Sequence, residues 1–367
     1  YGVTGNNDFS ATYMANMLGS DTNWMMPNGT WAYSYGKSQN VNPNLGWEEK
    51  KEWNLGVDYS FFEGRLYGKF DYYRREVDNL LFSVKVPQPP YTQGSQMQNI
   101  GSMESKGWEF EVGGDIIRTK DFTWSSSMNL SHNTGKILTL EGDNSYHNGN
   151  GFVAPGTPGD AARMEAGSTI GSFYMWKFAG FDDEGSFLLY NKDGEVIPAA
   201  QKTENDKQYI GNYTPKLIIG WSHTLTYKNF DLGINLRSWI DFDVYNTINM
   251  YYGIQGQGNL NVLKDAYGKF NHIKGEKQIC DYFLEDGTFL KIDAITLGYT
   301  LPMKMYTNNL IDRIRIYGTV GNVCTITGYS GMNPEVDITG WDKGTEKFWS
   351  DFYPVVRTWT LGMQFNF

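Results

Sequence analysis

Large apolar residues fall on every second position near the end of the chain, between Arg357 and Phe367. The alternating residues are Trp359, Leu361, Met363, Phe365 and Phe367. Successive side chains of a β-strand point to opposite faces, so this segment predicts a strand with one apolar and one polar face. Such a strand suits the wall of a membrane-spanning barrel, and it equally suits a half-buried strand of a soluble sandwich.

The same alternation recurs many times along the chain. It predicts strands that include 53–61, 66–73, 108–112, 122–130, 230–237 and 313–320. One predicted strand changes phase, because Leu290 and Ile292 share one parity while the apolar residues from Ile295 to Tyr299 share the other. A β-bulge near Ala294 would return all of them to one face.

The connections between the predicted strands are of two kinds. Tight turns are predicted at 62–64, 119–121 and 228–229. Long polar connections are predicted at 83–100, 134–170, 243–285 and 324–352. Bacterial barrels have short periplasmic turns and long outer loops, so all the tight turns should lie on one side of a membrane.

This sidedness makes strand counting a test, because two turns on the same side enclose an even number of strands. Three strand-like runs lie between the turns at 119–121 and 228–229, and an odd count is not allowed. Splitting the middle run, 171–190, at the turn-like residues 182–185 makes the count even. Segment 191–213 then becomes an outer loop.

From Trp47 onward this count predicts about eleven wall strands and places Phe367 on the turn side. The opening residues predict the tail of one further strand, followed by a long outer loop over 6–46. An open wall would leave backbone groups unpaired in lipid. We therefore expect the chain to be a C-terminal piece of a larger all-β transmembrane antiparallel barrel.

Composition narrows the possible partners and chemistry. The 367 residues include 25 Tyr, 21 Phe and 12 Trp, and the formal net charge of −10 argues against a nucleic-acid partner. Cys280 and Cys324 are the only cysteines, and no CxxC or HExxH motif occurs, so no metal site is predicted. Whether the two cysteines form a disulfide stays open.

No catalytic constellation is predicted, so the chain is not expected to be an enzyme. The four histidines are scattered and lack the spacing of a nucleophile and its base. Glu109 and Glu111 share one face of a predicted strand. Paired carboxylates can perform acid–base catalysis, but here they are better explained as the lining of a hydrated lumen.

Several short motifs follow one another in a recognisable order. They are NPNLGWE at 42–48, WNLGVD at 53–58, NIGSM at 99–103, KGWE at 106–109, GSFY at 171–174, EDGTFLK at 285–291, ITLGYTLP at 295–302 and GYSGMNPE at 328–335. In this order, across nearly the whole chain, the motifs resemble those of the SusC/RagA family. Members of that family are TonB-dependent outer-membrane transporters of Bacteroidetes.

The resemblance implies a 22-stranded barrel, with residues 1–367 as the C-terminal half of the barrel domain in outer-membrane lipid. It implies that the plug domain and the TonB box lie outside this chain. It also implies a SusD-like surface lipoprotein as partner, import of oligosaccharides or oligopeptides coupled to TonB through the plug, and a dimer of transporter–lipoprotein pairs. Two alternatives stay open: a passive or adhesive outer-membrane barrel, and a soluble β-rich carbohydrate-binding protein or enzyme.

Aromatic residues in the predicted outer loops are the candidate ligand contacts, because an exposed ring can stack on a sugar. The candidates are Trp24, Trp31, Tyr33, Tyr251, Tyr252 and Trp341. Many members of the resembled family carry a calcium-like loop, and the corresponding residues here are 190–195. Lys192 stands among the would-be oxygen ligands, so we expect neither a metal nor a cofactor.

Overall fold

An antiparallel sheet of ten strands, the wall, forms the framework of the chain. The structure is a computed structural model that describes residues 1–6, 11–14, 18–140, 146–148, 161–255, 261–303, 311–336 and 355–367. Each wall strand pairs with the next one in sequence order. The strands are β1 (Gly2–Asn6), β2 (Glu48–Phe61), β3 (Leu66–Asp78), β4 (Ser102–Arg118), β5 (Phe122–Thr139), β6 (Leu217–Tyr227), β7 (Phe230–Ile240), β8 (Phe289–Pro302), β9 (Arg313–Thr327) and β10 (Thr358–Asn366).

Cross-strand register joins the alternating residues into one continuous apolar face, here called the outward face. Trp359 lies opposite Val320, Val320 opposite Ile295, and Ile295 opposite Ile234. Directly opposed residues share a face, so the predicted facing of the C-terminal strand is confirmed. The same face carries six large aromatic residues, a distribution typical of the aromatic girdles of membrane barrels: Trp53, Tyr59, Trp108, Trp124, Trp221 and Trp359.

The opposite face, here called the lumenal face, carries mostly Gly, Ser, Thr, Asn and charged residues. On β2 the outward face is apolar from Trp53 to Phe61. This run matches the roughly 9–11 residues that a tilted strand needs to cross a bilayer. The predicted bulge is also confirmed, because Asp293 has no partner on β7 between the pairs Leu236–Ile292 and Asn235–Ala294.

The tight turns lie together at one end of the wall, as predicted. Residues 62–65, 119–121 and 228–229 each join neighbouring strands there. Asn366 lies opposite Arg313 at this same end, so Phe367 is on the turn side.

The predicted count of about eleven wall strands from Trp47 onward is wrong, since nine of the ten strands lie in that part. Among the described residues, β5 and β6 are the only wall strands between the turns at 119–121 and 228–229, so the parity rule holds without segment 171–190. That segment leaves the wall, and 182–185 is a turn within a small loop-side sheet. Contiguous burial of Phe173, Met175 and Trp176 explains the difference, because a wall strand would bury neither face so completely.

The loop side carries its own secondary structure. Its strands are Leu18–Met25, Trp31–Lys37, Leu81–Lys85, Ser95–Asn99, Tyr146–Asn148, Arg163–Glu165, Ser172–Met175, Lys177–Phe181, Phe187–Tyr190, Val196–Pro198, Gln208–Asn212, Asp243–Tyr245 and Leu284–Asp286. The one described α-helix is Thr247–Tyr252, and short 3-10 helices are Ala11–Met14, Ala199–Gln201, Glu204–Asp206, Lys264–Tyr267 and Asp281–Phe283. Within the described ranges, none of these helices has the length and apolar character to cross a membrane.

The hydrophobic core lies in the loops and not in the wall. Among the largest fully buried side chains of the described residues, only Ile137 and Phe289 belong to wall strands. The main cluster, here called the loop core, combines residues from the connection between β5 and β6 with residues from the connection between β7 and β8. Its members are Ala161, Phe173, Met175, Trp176, Phe187, Leu189, Ala199, Tyr213, Tyr245, Met250, Tyr251, Ile254, Phe270, Ile273, Ile279, Cys280 and Phe283.

Tyrosine rings cover glycines on neighbouring wall strands. Tyr73 lies directly opposite Gly107 on the lumenal face, and a Cβ at Gly107 would stand 2.6 Å from the Tyr73 hydroxyl. Tyr67 covers Gly113 in the same way, also at 2.6 Å from the ring. Aromatic cover of a strand glycine replaces packing that the glycine cannot supply.

Replacing Gly107 by alanine brings the new Cβ against both the backbone oxygen of His132 and the Tyr73 ring, and it is expected to destabilise the folded barrel by about 1–3 kcal/mol, the usual cost of overpacking. The matched control is Gly233→Ala, because Gly233 is also lumenal and no atom lies within 4 Å of its built Cβ. Urea unfolding in detergent, followed by heat-modifiable gel migration, measures the difference. Equal unfolding midpoints for the two variants would contradict the close packing around Gly107.

Candidate ligand-binding surface

Two loop-side strands, Leu18–Met25 and Trp31–Lys37, form a hairpin that we call the outer hairpin. Trp31, Tyr33 and Tyr35 alternate along its second strand and are 68–69 % exposed. Side chains two residues apart on a strand share a face at a spacing of roughly 7 Å. The outer hairpin therefore presents a row of three aromatic rings to solvent.

The opposite face of the outer hairpin carries a further ring. Trp24 lies opposite Ala32, so it points away from the row of Trp31 and Tyr33, and it is 65 % exposed. Exposed aromatic rings of this kind can stack on a flat apolar partner and still reach water with their polar atoms.

Side-chain amides fasten the base of the outer hairpin to the hairpin Leu81–Lys85 and Ser95–Asn99. Asn40 is 7 % exposed, and its amide nitrogen donates to the carbonyls of Gln93 and Ser95 at 2.6 and 2.9 Å. The Asn40 carbonyl accepts from the backbone nitrogens of Thr92 and Gln93. An amide that satisfies this many backbone groups fixes the course of the chain through it.

A second amide connects two of the sequence motifs described above. The Asn99 carbonyl accepts from the backbone nitrogen of Gly46 at 2.7 Å, and the Asn99 amide donates back to the carbonyl of Gly46 at 2.9 Å. Motif 42–48 and motif 99–103 are therefore neighbours in space. Together the amides hold the outer hairpin above the loop end of β2 and β3.

The lumenal face below the loops is polar and charged. Lys69 lies opposite Asp58 and Glu111, and its ammonium is 3.0 Å from Asp71. A hollow of about 360 Å³ opens here between Asp71, Glu109 and Asn129. This arrangement supports the interpretation of the Glu109 and Glu111 pair as the lining of a hydrated passage.

The predicted contact residues do not form one cluster. Trp24, Trp31 and Tyr33 lie on the outer hairpin, whereas Tyr251 and Tyr252 lie on the helix Thr247–Tyr252. Tyr251 is 1 % exposed and belongs to the loop core. Trp341 lies outside the described residues.

Helix Thr247–Tyr252 is a structural element of the loop core. The side chain of Asn246 caps it by accepting from the backbone nitrogen of Asn249 at 2.9 Å. The same side chain donates to Glu285 at 2.9 Å. Burial raises the pKa of the Tyr251 phenol to about 12, so this group stays neutral at ordinary pH.

Tyr35 belongs with the exposed rings of the outer hairpin. Its signal in the sequence is the spacing of two residues that continues the series Trp31 and Tyr33. Residues 190–195, the counterpart of the calcium-like loop, form a turn in which the side-chain oxygen of Asn191 accepts from the backbone nitrogens of Asp193 and Glu195. In the parts of the chain that the structure describes, Cys280 and Cys324 are free thiols, and no group of three His, Cys, Asp or Glu side chains could hold a metal ion.

Asp243 gives the loop side a dependence on pH. Burial raises its pKa, and the neighbouring carboxylates Asp286 and Asp241 add to the rise, although the backbone nitrogen of Asn212 donates to it at 2.8 Å. A raised carboxyl pKa means that the folded loops bind more protons than the unfolded loops. Stability is therefore lost as pH rises from the ordinary carboxyl range through the raised pKa.

The variant Asp243→Asn is expected to remove this dependence, because an amide does not titrate in this pH range. Its oxygen can still accept the hydrogen bond from the backbone nitrogen of Asn212. Hydrogen exchange of residues 208–212 and 243–245 should slow in the variant relative to the wild type near pH 7. At about pH 4 the two proteins should exchange alike. The same pH profile in both proteins would contradict the assignment to Asp243.

Comparison with known proteins fits this architecture. A family model described as "TonB dependent receptor-like, beta-barrel" matches residues 8–323. The chain therefore belongs to the TonB-dependent receptor β-barrel family, and it is an outer-membrane barrel protein. Its relatives place it in the SusC/RagA group of that family, as the sequence motifs predicted.

Two relatives show the extent of the match. The chain is 31 % identical over 357 residues to "TonB-dependent receptor SusC" of Bacteroides thetaiotaomicron, covering 93 % of this chain and 34 % of that protein. It is 30 % identical over 354 residues to "TonB-dependent receptor P3" of Formosa agariphila, covering 89 % of this chain and 35 % of that protein. The chain thus spans about a third of the length of the curated relatives it matches.

A solved structure shows the same fold. The structure described as the RagAB peptide transporter superposes with a TM-score of 0.79 at 24 % identity. The superposition covers 99 % of this chain and 40 % of the other chain. The wall and its loop side therefore correspond to part of a larger barrel chain.

Proposed function

We propose that this chain supplies the C-terminal part of the barrel of a TonB-dependent importer of oligosaccharides or oligopeptides, and that residues 1–367 belong to that one barrel domain. The outer hairpin carries the proposal, because it presents an exposed aromatic row on the loop side of the wall. Relatives named as TonB-dependent receptors support the energy coupling. Coupling would act through a plug region outside this sequence.

A SusD-like surface lipoprotein is the proposed partner, with two transporter–lipoprotein pairs forming a dimer. The likeness to a transporter named RagAB supports a paired assembly, and the loop side offers a broad folded surface for such a partner. Purification of the transporter from the native outer membrane should recover the lipoprotein in an equal molar amount. The mass of the purified complex then tests the dimer.

Energy coupling separates this proposal from a passive or adhesive barrel. Cells supplied with labelled oligosaccharides or oligopeptides should accumulate one class in the periplasm, and a protonophore should abolish the accumulation. Accumulation that continues after the membrane potential has collapsed would favour a passive barrel. Binding to the cell surface with no accumulation would favour an adhesin. The soluble alternative is set aside, because the family is one of outer-membrane barrels.

The exposed rings Trp24, Trp31 and Tyr33 are the proposed ligand contacts, and Tyr251 of the loop core with Tyr252, which packs against it, would support the surface from below. Trp31→Ala should weaken capture of an oligosaccharide roughly tenfold, since a well-placed ring contact contributes on the order of 1 kcal/mol or slightly more. Trp24→Ala is the matched variant on the opposite face of the outer hairpin. Unchanged affinity in both variants would remove the outer hairpin from the binding site.

A further inference from the structure

A groove of about 560 Å³ opens on the outward face of the wall, beside the turn at 62–64. This volume lies within the range of sites that hold small molecules, roughly 300–1,000 Å³. The large side chains of Leu66, Met128 and Trp221 flank the groove. The groove therefore faces the membrane at the turn side of the barrel, away from the loops and the lumenal face.

The floor of the groove exists because two neighbouring strands carry small residues at the same level. Leu66 lies opposite Gly114, and Gly114 lies opposite Ser126. Two residues farther along β5, away from the turns, the outward face carries the larger Met128, which lies opposite Trp221 on β6. The indole nitrogen of Trp221 donates to the Ser126 hydroxyl at 2.9 Å, which holds the ring at the edge of the floor.

The end of the groove nearest the turn is cationic. Arg65 lines this end, and among the described residues no carboxylate lies within ion-pair distance of its guanidinium. The one acidic residue of the lining, Asp115, is already engaged by Arg118 at 3.5 Å and by the Ser125 hydroxyl at 2.7 Å. An anion at the turn end of the groove would therefore meet an available arginine.

The turn itself holds a bulky side chain in an unusual backbone conformation. Phe62 has a φ of 54° and Glu63 a φ of 56°, both in the left-handed region, and the Phe62 ring is 74 % exposed. Non-glycine residues enter this region only at a cost in free energy. The conformation places the Phe62 ring and Arg65 together at the mouth of the groove.

We propose that the groove binds one acyl chain of a phospholipid from the periplasmic leaflet of the outer membrane, with the phosphate at Arg65. The apolar sides match an acyl chain, and a guanidinium is well suited to bind a phosphate. The polar end lies at the turn side, where headgroups of that leaflet are found. This site depends on the membrane placement of the wall and not on which cargo is imported.

Native mass spectrometry of the protein extracted from its own membrane in a mild detergent tests the proposal. The wild type should retain one phospholipid through purification. Ser126→Leu fills the floor, and Arg65→Ala removes the phosphate partner, so each should lower phospholipid occupancy roughly tenfold. Arg65 lies in a turn, so its variant tests the site even if Ser126→Leu fails to fold.

Matched controls isolate the groove from general effects on the outward face. Gly318→Leu adds the same side chain elsewhere on that face, where only the Thr360 carbonyl lies within 4.0 Å of the built Cβ. Lys120→Ala removes another cation of the turn side. These variants should retain the phospholipid. Bound detergent or lipopolysaccharide alone, or equal occupancy in Ser126→Leu and Gly318→Leu, would overturn the proposal.

Discussion

Replacing Glu335 by alanine is expected to cost about 3–5 kcal/mol and to release residues 328–336 from the wall, because it leaves a buried ammonium without its partner. The Lys291 side chain is 4 % exposed, and its ammonium is 2.9 Å from the Glu335 carboxylate. Arg237 donates to the same carboxylate at 3.1 Å. Asp293 lies 3.9 Å from Lys291 and compensates only in part.

A double-mutant cycle separates the ion pair from simple loss of packing. Lys291→Met combined with Glu335→Ala should recover most of the lost stability, because no buried ammonium is left unpaired and Arg237 keeps its ion pair with Asp293 at 2.9 Å. Glu335→Gln should lie between the wild type and Glu335→Ala. Hydrogen exchange of residues 328–336 reports the release, and strict additivity of the two single variants would contradict the coupling.

Phe187→Ala is expected to destabilise the loop core by about 3–5 kcal/mol while the wall stays folded. Phe187 is 1 % exposed, and its ring centroid lies 4.9 Å from that of Phe181 and 5.9 Å from that of Tyr282. Truncation would therefore open a cavity at the centre of an aromatic cluster. The wall strands should be spared, because their backbone pairing does not run through this cluster.

The matched variant is Val196→Ala, which shortens an exposed side chain in the same small sheet. Limited proteolysis of the loops should accelerate in Phe187→Ala and stay unchanged in Val196→Ala. Heat-modifiable migration should be the same for both, because it reports the wall. Loss of the folded wall in Phe187→Ala would show that the loop core and the wall form one cooperative unit.

The wall was largely predictable from its sequence because each strand meets lipid on one face and water on the other. That demand imposes strict alternation, so even the bulge beside Ala294 was visible as a change of parity. Segment 171–190 misled the count because its strands lie outside the wall and pack in the loop core. The contiguous apolar run from Phe173 to Trp176 is typical of a strand buried on both faces, and this was the available signal.

The candidate site was predictable only in part. The exposed rings Trp31 and Tyr33 follow strand spacing, so their common face could be inferred from the sequence. The burial of Tyr251 could not, because it depends on contacts between two connections that are distant along the chain. The amide of Asn99 gave no signal either, since its partner Gly46 is fixed only by the fold.

The composition of the loop core sets an order of events during membrane insertion. Phe173 and Tyr213 come from the connection before β6, whereas Tyr245 and Phe283 come from the connection after β7. These side chains can meet only when strands β6 and β7 have inserted as a hairpin and both connections have crossed to the cell surface. A shift of one residue in the pairing of β6 or β7 would exchange the outward and lumenal faces of that strand. Completion of the loop core is therefore expected only after these strands have paired in the correct register.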